Sequence, residues 1–125
     1  MKIELPILKQ KIENDEIVSE ERSAVFDIDT SVYSEERWEQ NFPALAEKES
    51  LFQYIARVKE NALTDRVKVA CMLKAIYCFI ESKETPTYKS FAQMFNLATP
   101  EYTDRIIQCL KNAFTLILNG SSVKN

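Results

Sequence analysis

One glycine, Gly120, occurs in the 125 residues of this chain. Phosphate cradles, dinucleotide-binding turns and tight type I′ or II′ hairpins use glycine for positive φ or for close backbone approach. A chain with no glycine before position 120 is expected to build none of them. Histidine is absent as well, which removes histidine-based triads and histidine-ligated zinc. The length suits one domain and suffices to bury a core without disulfides or metal. With 46% hydrophobic and 28% charged residues, the composition is that of a globular chain.

The net charge is −3, from 16 basic and 19 acidic side chains. That balance disfavours non-specific nucleic-acid binding, which needs a basic footprint. It is uneven along the chain: residues 1–62 carry 8 basic and 14 acidic groups, residues 63–125 carry 8 and 5. The halves are therefore −6 and +3. An acidic half can simply be well solvated, or opposite fields can steer a head-to-tail contact between copies. Cys71, Cys78 and Cys109 are odd in number and sit in apolar patterns, as free cysteines in a reducing compartment do. Met1-Lys2-Ile3-Glu4-Leu5-Pro6 has no apolar signal-peptide core, and the stretch from Val67 to Ile80 carries Lys68 and Lys74. It is too short to span a bilayer, so no membrane association is expected.

Ile3, Leu5 and Ile7 alternate with other residues, as do Ala24 to Asp29, a weak strand signal. Between them, Lys9 to Arg22 is mostly charged, with Ile12, Ile17 and Val18 as its apolar anchors and Asn14-Asp15 as a possible turn. Helical signals begin at Ser34, read as an N-cap followed by Glu35 and Glu36. Pro43 closes that helix and opens a second, running from about Pro43 to Glu60 with Leu51, Phe52, Ile55 and Val58 on one face. A third, from Thr64 to about Glu81, is apolar nearly all round, which marks the centre of the core. Glu84-Thr85-Pro86 breaks the chain, and Thr87 caps a short helix through Phe95. Thr99, Pro100 and Glu101 start the last helix, which Gly120 ends. Its apolar arc, including Ile107 and Leu116, spans roughly 200°, wider than a surface helix needs. These elements predict a mainly α fold: a compact bundle of about five helices over residues 34–120. An extended N-terminal arm, residues 1–33, has room for a short β-hairpin, and residues 121–125 form a disordered tail.

No constellation of catalytic residues emerges, and an enzyme is not expected. Asp27 and Asp29 would share one side of a strand, where two carboxylates can hold a divalent ion or share a proton. With no third ligand in view they read as solvent-facing neighbours of buried Val25, Phe26 and Ile28 or as helix-preceding Asx turns. Glu35, Glu36 and Glu39 lack the histidine of a Glu-x-x-His site. Cys71 and Cys78 lie two turns apart, wrong for zinc. No cofactor or metal is expected. Residues 87–118 have helix-turn-helix spacing, but the second helix would present Glu101 and Asp104 to the phosphates. Trp38, the only tryptophan, reads both as the inward anchor of its helix with Phe42 and as an interface residue.

Phe26-Asp27-Ile28-Asp29-Thr30-Ser31, Glu35-Glu36-Arg37-Trp38-Glu39-Gln40-Asn41-Phe42-Pro43, Leu51-Phe52-Gln53-Tyr54-Ile55 and Leu73 to Ile80, with the C-terminal helix, resemble the tail assembly chaperones of long-tailed bacteriophages and prophages. The resemblance implies a small helical protein of the host bacterial cytoplasm, absent from the mature virion. Its partners would be the tape measure protein, which it coats and keeps soluble, and the tail tube protein. It would self-associate into a ring or spiral and bind no nucleic acid. Trp38, Phe42, Phe26, Ile28, Ile107 and Leu116 are the expected partner or self-association surface. The alternative is a small helical regulator or adaptor that binds DNA through residues 87–118.

Overall fold

The structure is a computed structural model that describes residues 1–81 and 87–120. The expected break at Glu84-Thr85-Pro86 and the expected tail at 121–125 lie outside the described residues. The element order is β1 (Lys2–Glu13), β2 (Glu16–Asp27), α1 (Tyr33–Asn41), α2 (Pro43–Ala46), α3 (Leu51–Glu60), α4 (Asp65–Phe79), α5 (Tyr88–Ala92) and α6 (Pro100–Gly120).

The first 27 residues overturn the expectation of a mainly α bundle with a loose arm. The protein is mixed α/β: two 12-residue strands form an antiparallel hairpin that packs against the helices. Glu13 and Glu16 close a two-residue turn. Asn14 and Asp15 both take positive φ, 51° and 63°, the requirement of a type I′ turn. Asparagine and aspartate enter the left-handed region more readily than other non-glycine residues because their short polar side chains bond locally. The lack of glycine therefore did not forbid the turn.

Alternation sets the buried face of the hairpin. Ile3, Leu5 and Ile7 on β1 point the same way as Ala24 and Phe26 across the register; of these all but half-buried Ala24 are buried. Both outer edges are tied down near the base. The Leu8 amide donates to the Met94 carbonyl at 3.1 Å, the Asp29 amide to Phe79 at 2.7 Å and the Glu81 amide to Asp27 at 2.9 Å. Leu8 and Ile28 thereby bridge to Phe95 and Ile80. A two-stranded hairpin is marginal alone in water, and these bonds with the buried face hold this one to the body.

The helical region follows the local signals with four changes. Ser34 lies inside α1, buried, its hydroxyl donating to the Ser31 carbonyl at 2.8 Å. The helix expected from Pro43 to Glu60 is two helices, α2 and α3. Ser50 starts α3 through a capping box: its hydroxyl accepts from the Gln53 amide at 3.1 Å while the Gln53 side chain accepts from the Ser50 amide at 2.8 Å. Helix α4 stops at Phe79 because Ile80 leaves the helix to pair with Ile28. Thr87 caps α5 as expected, accepting from the Ser90 amide at 3.1 Å, but the helix ends at Ala92 rather than Phe95, which bridges to Leu8 instead. From Met72 to Ile80 every residue of the third apolar stretch except Lys74 is buried, so α4 is the centre of the core. It packs against α1, α3, α5 and α6.

Candidate functional site

Three parts of the molecule bear on function: a polar and aromatic node around Trp38, a cleft between α3, α4 and α6, and the tip of the hairpin.

At the node, Trp38 is 1% exposed. Its indole N–H donates to the Glu49 carbonyl at 3.0 Å, and its ring lies 4.7 Å from Tyr54 and 5.5 Å from Phe42 between centroids. The Glu35 carboxylate accepts from the Leu51 amide at 3.0 and 3.1 Å, satisfying an orphan donor at the start of α3. Asp29 accepts from the Ser31 amide at 2.9 Å and pairs with Arg37 at 3.0 Å. Arg37 also donates to the Cys78 carbonyl and lies over the Tyr33 ring. These contacts join the end of β2, α1, α3 and α4.

The six residues expected to form an outer surface are mostly interior. Trp38, Phe26, Ile28 and Ile107 are buried, and Phe42 is half-buried between Trp38 and Tyr88. Phe26 packs edge-on against Phe91 at 5.6 Å. For Trp38 the hairpin and α1 uphold the inward-anchor reading, and for Phe26 and Ile28 the buried one, whereas Val25, read as buried with them, is 60% exposed. Leu116 is exposed, at 56%. The wide arc of α6 is otherwise consumed by the core, with Tyr102, Ile106, Leu110 and Ile117 fully covered.

Asp27 and Asp29 do not share a site. Asp27 is exposed beside Lys2 at 3.5 Å. Asp29 forms an Asx turn, and its carboxyl is held below the ordinary range by the Ser31 hydroxyl and amide first, and then by Arg37. Asp29→Asn keeps an acceptor for the Ser31 amide but leaves half-buried Arg37 without its counter-charge. A loss of about 1–3 kcal/mol in stability is expected at neutral pH, the range for stranding a hydrogen-bonded charge. A carboxyl with a lowered folded pKa stabilises above its unfolded value, about 3.9. That contribution fades as pH falls through the folded pKa. Urea titrations of both proteins should therefore converge below pH ~4; an unchanged gap there contradicts the assignment.

Cys78 is fully buried, its thiol donating to the Lys74 carbonyl at 3.4 Å, and burial pushes its pKa up to about 12. Cys71 and Cys109 are half-buried. Mass-spectrometric counting after a thiol reagent is expected to find Cys78 unmodified in the native protein and modified once urea unfolds it, since only thiolate reacts. Rapid native labelling of Cys78 would contradict this burial.

The cleft has a volume of about 300 Å³. Its floor is apolar, with Ile55, Val58, Met72 and Phe114, and Lys59, Lys68 and Lys111 stand at its rim with no acidic residue among the lining side chains. The Tyr54 hydroxyl donates to the Cys71 carbonyl at 3.0 Å beside it. The lysines come from three helices, and among the described residues none of them forms an ion pair. The hairpin tip is the opposite in charge. Lys11 to Ile17 are all exposed, and Glu13 faces Glu16 across the turn that holds Asp15. The cleft was not anticipated from the sequence, whereas the tip falls on Asn14-Asp15, the turn read from the sequence in an arm with room for a hairpin. A signal for the tip was present: Ile12-Glu13-Asn14-Asp15-Glu16-Ile17 is symmetric in side-chain type about its centre, as two paired strands around a turn can be.

The helix-turn-helix expectation meets a short first helix. Helix α5 has five residues, and the start of α6 is docked: Tyr102 is buried with its hydroxyl donating to the Pro6 carbonyl at 2.7 Å, and Arg105 is held by Glu21. Glu101 and Asp104 are exposed there. Among the described residues no three of His, Cys, Asp and Glu cluster as metal ligands do, and no helix is long and apolar enough to cross a membrane. In comparisons of the chain with protein-family models, curated proteins and solved structures, none matches it.

Proposed function

We propose that this protein is a tail assembly chaperone of a long-tailed phage or prophage, which coats the tape measure protein, keeps it soluble and helps the tail tube assemble around it in the host bacterial cytoplasm. The observation that carries this reading is the convergence at the Trp38 node. Residues 26–31, 35–43 and 51–55, which bear the resemblance to that family, meet there through the Asp29–Arg37 pair, the Glu35–Leu51 bond and the Trp38–Tyr54 contact. The resemblance thus falls on residues that decide how the hairpin, α1 and α3 are joined. A holdase also needs open apolar surface, and the cleft with exposed Leu116, Phe52 and Val67 supplies it. Exposed acids at the start of α6 weigh against the alternative of a DNA-binding regulator.

Co-expression with the tape measure protein of the same tail operon tests the reading. The tape measure protein is expected to aggregate alone, to be soluble with this chain, and to co-purify with it. If it partitions identically with and without the chain, and does not co-purify, the reading is wrong.

A further inference from the structure

The hairpin tip and the cleft are complementary to each other. Ile12 and Ile17 stand directly opposite in the strand register and are 77% and 72% exposed. Single exposed isoleucines are ordinary. A facing pair at the end of a ribbon is a compact apolar knob. From Lys9 outward β1 runs five residues beyond its last bridge to the body, roughly 17 Å at about 3.4 Å per residue. Glu13 faces Glu16, and like charges directly opposite destabilise a strand pair. Lys11 meets Glu13 at 2.9 Å, which leaves residues 11–17 at a net −2. The cleft offers what this knob lacks: an apolar floor and three lysines. At about 300 Å³ it reaches the size of pockets that enclose small ligands, room for two isoleucine side chains. Within one chain no tip residue is among those lining the cleft, and the tip is exposed along its whole length.

We propose that the hairpin tip of one copy seats its Ile12–Ile17 pair in the cleft between α3, α4 and α6 of a second copy, its carboxylates meeting Lys59, Lys68 and Lys111. The occupant of the cleft is a second copy of this chain. The two surfaces differ, so each copy keeps a free tip or a free cleft after pairing. Such a heterologous contact propagates into a ring or an open spiral rather than ending at a dimer. Lysine–carboxylate contacts speed association at low salt, and the isoleucine pair keeps part of the affinity at high salt. The contact stands without the tail-assembly reading and needs no client protein.

Sedimentation velocity of the purified full-length protein over a concentration series tests it. The wild type is expected to gain mass with concentration. Ile12→Ser/Ile17→Ser at the tip and Lys59→Glu/Lys111→Glu at the rim should each weaken association by about tenfold or more. All four positions are exposed, so circular dichroism melts should match the wild type. An equimolar mixture of the two variants should form one-to-one dimers and stop there, since one partner offers only a cleft and the other only a tip. Glu13→Lys/Glu16→Lys added to the rim variant in the same chain should restore its self-association, a result that loss of folding cannot mimic. A wild type that stays monomeric at high micromolar concentration overturns the proposal, even if the cleft then takes up an acidic amphipathic peptide. Variants that assemble like the wild type overturn it too. Failure of the tape measure co-expression with these results intact would sink only the chaperone reading.

Discussion

Trp38→Ala lowers the stability of the protein by about 3–5 kcal/mol, the usual cost of emptying a large aromatic core site. The ring fills the space between Phe42 and Tyr54, and its N–H is the partner of the Glu49 carbonyl, in the turn that leads from α2 into α3. Truncation opens a cavity and strands that carbonyl. Trp38→Phe keeps most of the packing but loses the donor, and about 0.5–1.5 kcal/mol is expected from the hydrogen bond alone, with a further packing loss. Urea denaturation followed by circular dichroism measures both, since the variants carry no tryptophan to report by fluorescence. A loss below about 1 kcal/mol for the alanine variant, with self-association weakened, would return Trp38 to the surface role that its polar neighbours suggested.

Ile76→Ala costs about 2–5 kcal/mol, the range for emptying an aliphatic core site. Ile76 is completely buried in the C-terminal third of α4, the helix against which α1, α3, α5 and α6 all pack. A cavity there is lined by elements held from several sides, so little collapse relieves it. Val67→Ala on the same helix is the control. Val67 is 49% exposed, and its truncation is expected to stay within about 0.5 kcal/mol. Equal effects at the two positions in a urea titration would mean that α4 is not the centre of the core.

The readings that the structure upholds rest on interactions spanning a few residues. Thr87 capping α5 and Thr99-Pro100 opening α6 are local backbone bonds, visible wherever the residue types occur. The burial of α4 was legible because an all-round apolar helix has no face to give to water. The break between α2 and α3 was local as well, written as the Ser50–Gln53 capping box, and the apolar run beginning at Leu51 obscured it. The hairpin was harder for a physical reason. Strands show alternation only where one face is dry, and from Lys9 to Ser19 both faces of the ribbon are largely wet. Its turn uses asparagine and aspartate where glycine is the usual residue. By itself the sequence determined where α2, α4, α5 and α6 start and which helix lies at the centre. Tertiary structure alone decided between the inward and the interface readings of Trp38, and that Lys59, Lys68 and Lys111 ring one apolar cleft. Caps and periodicity act through bonds a few residues long, whereas packing chooses which of several apolar faces is covered and which distant side chains become neighbours.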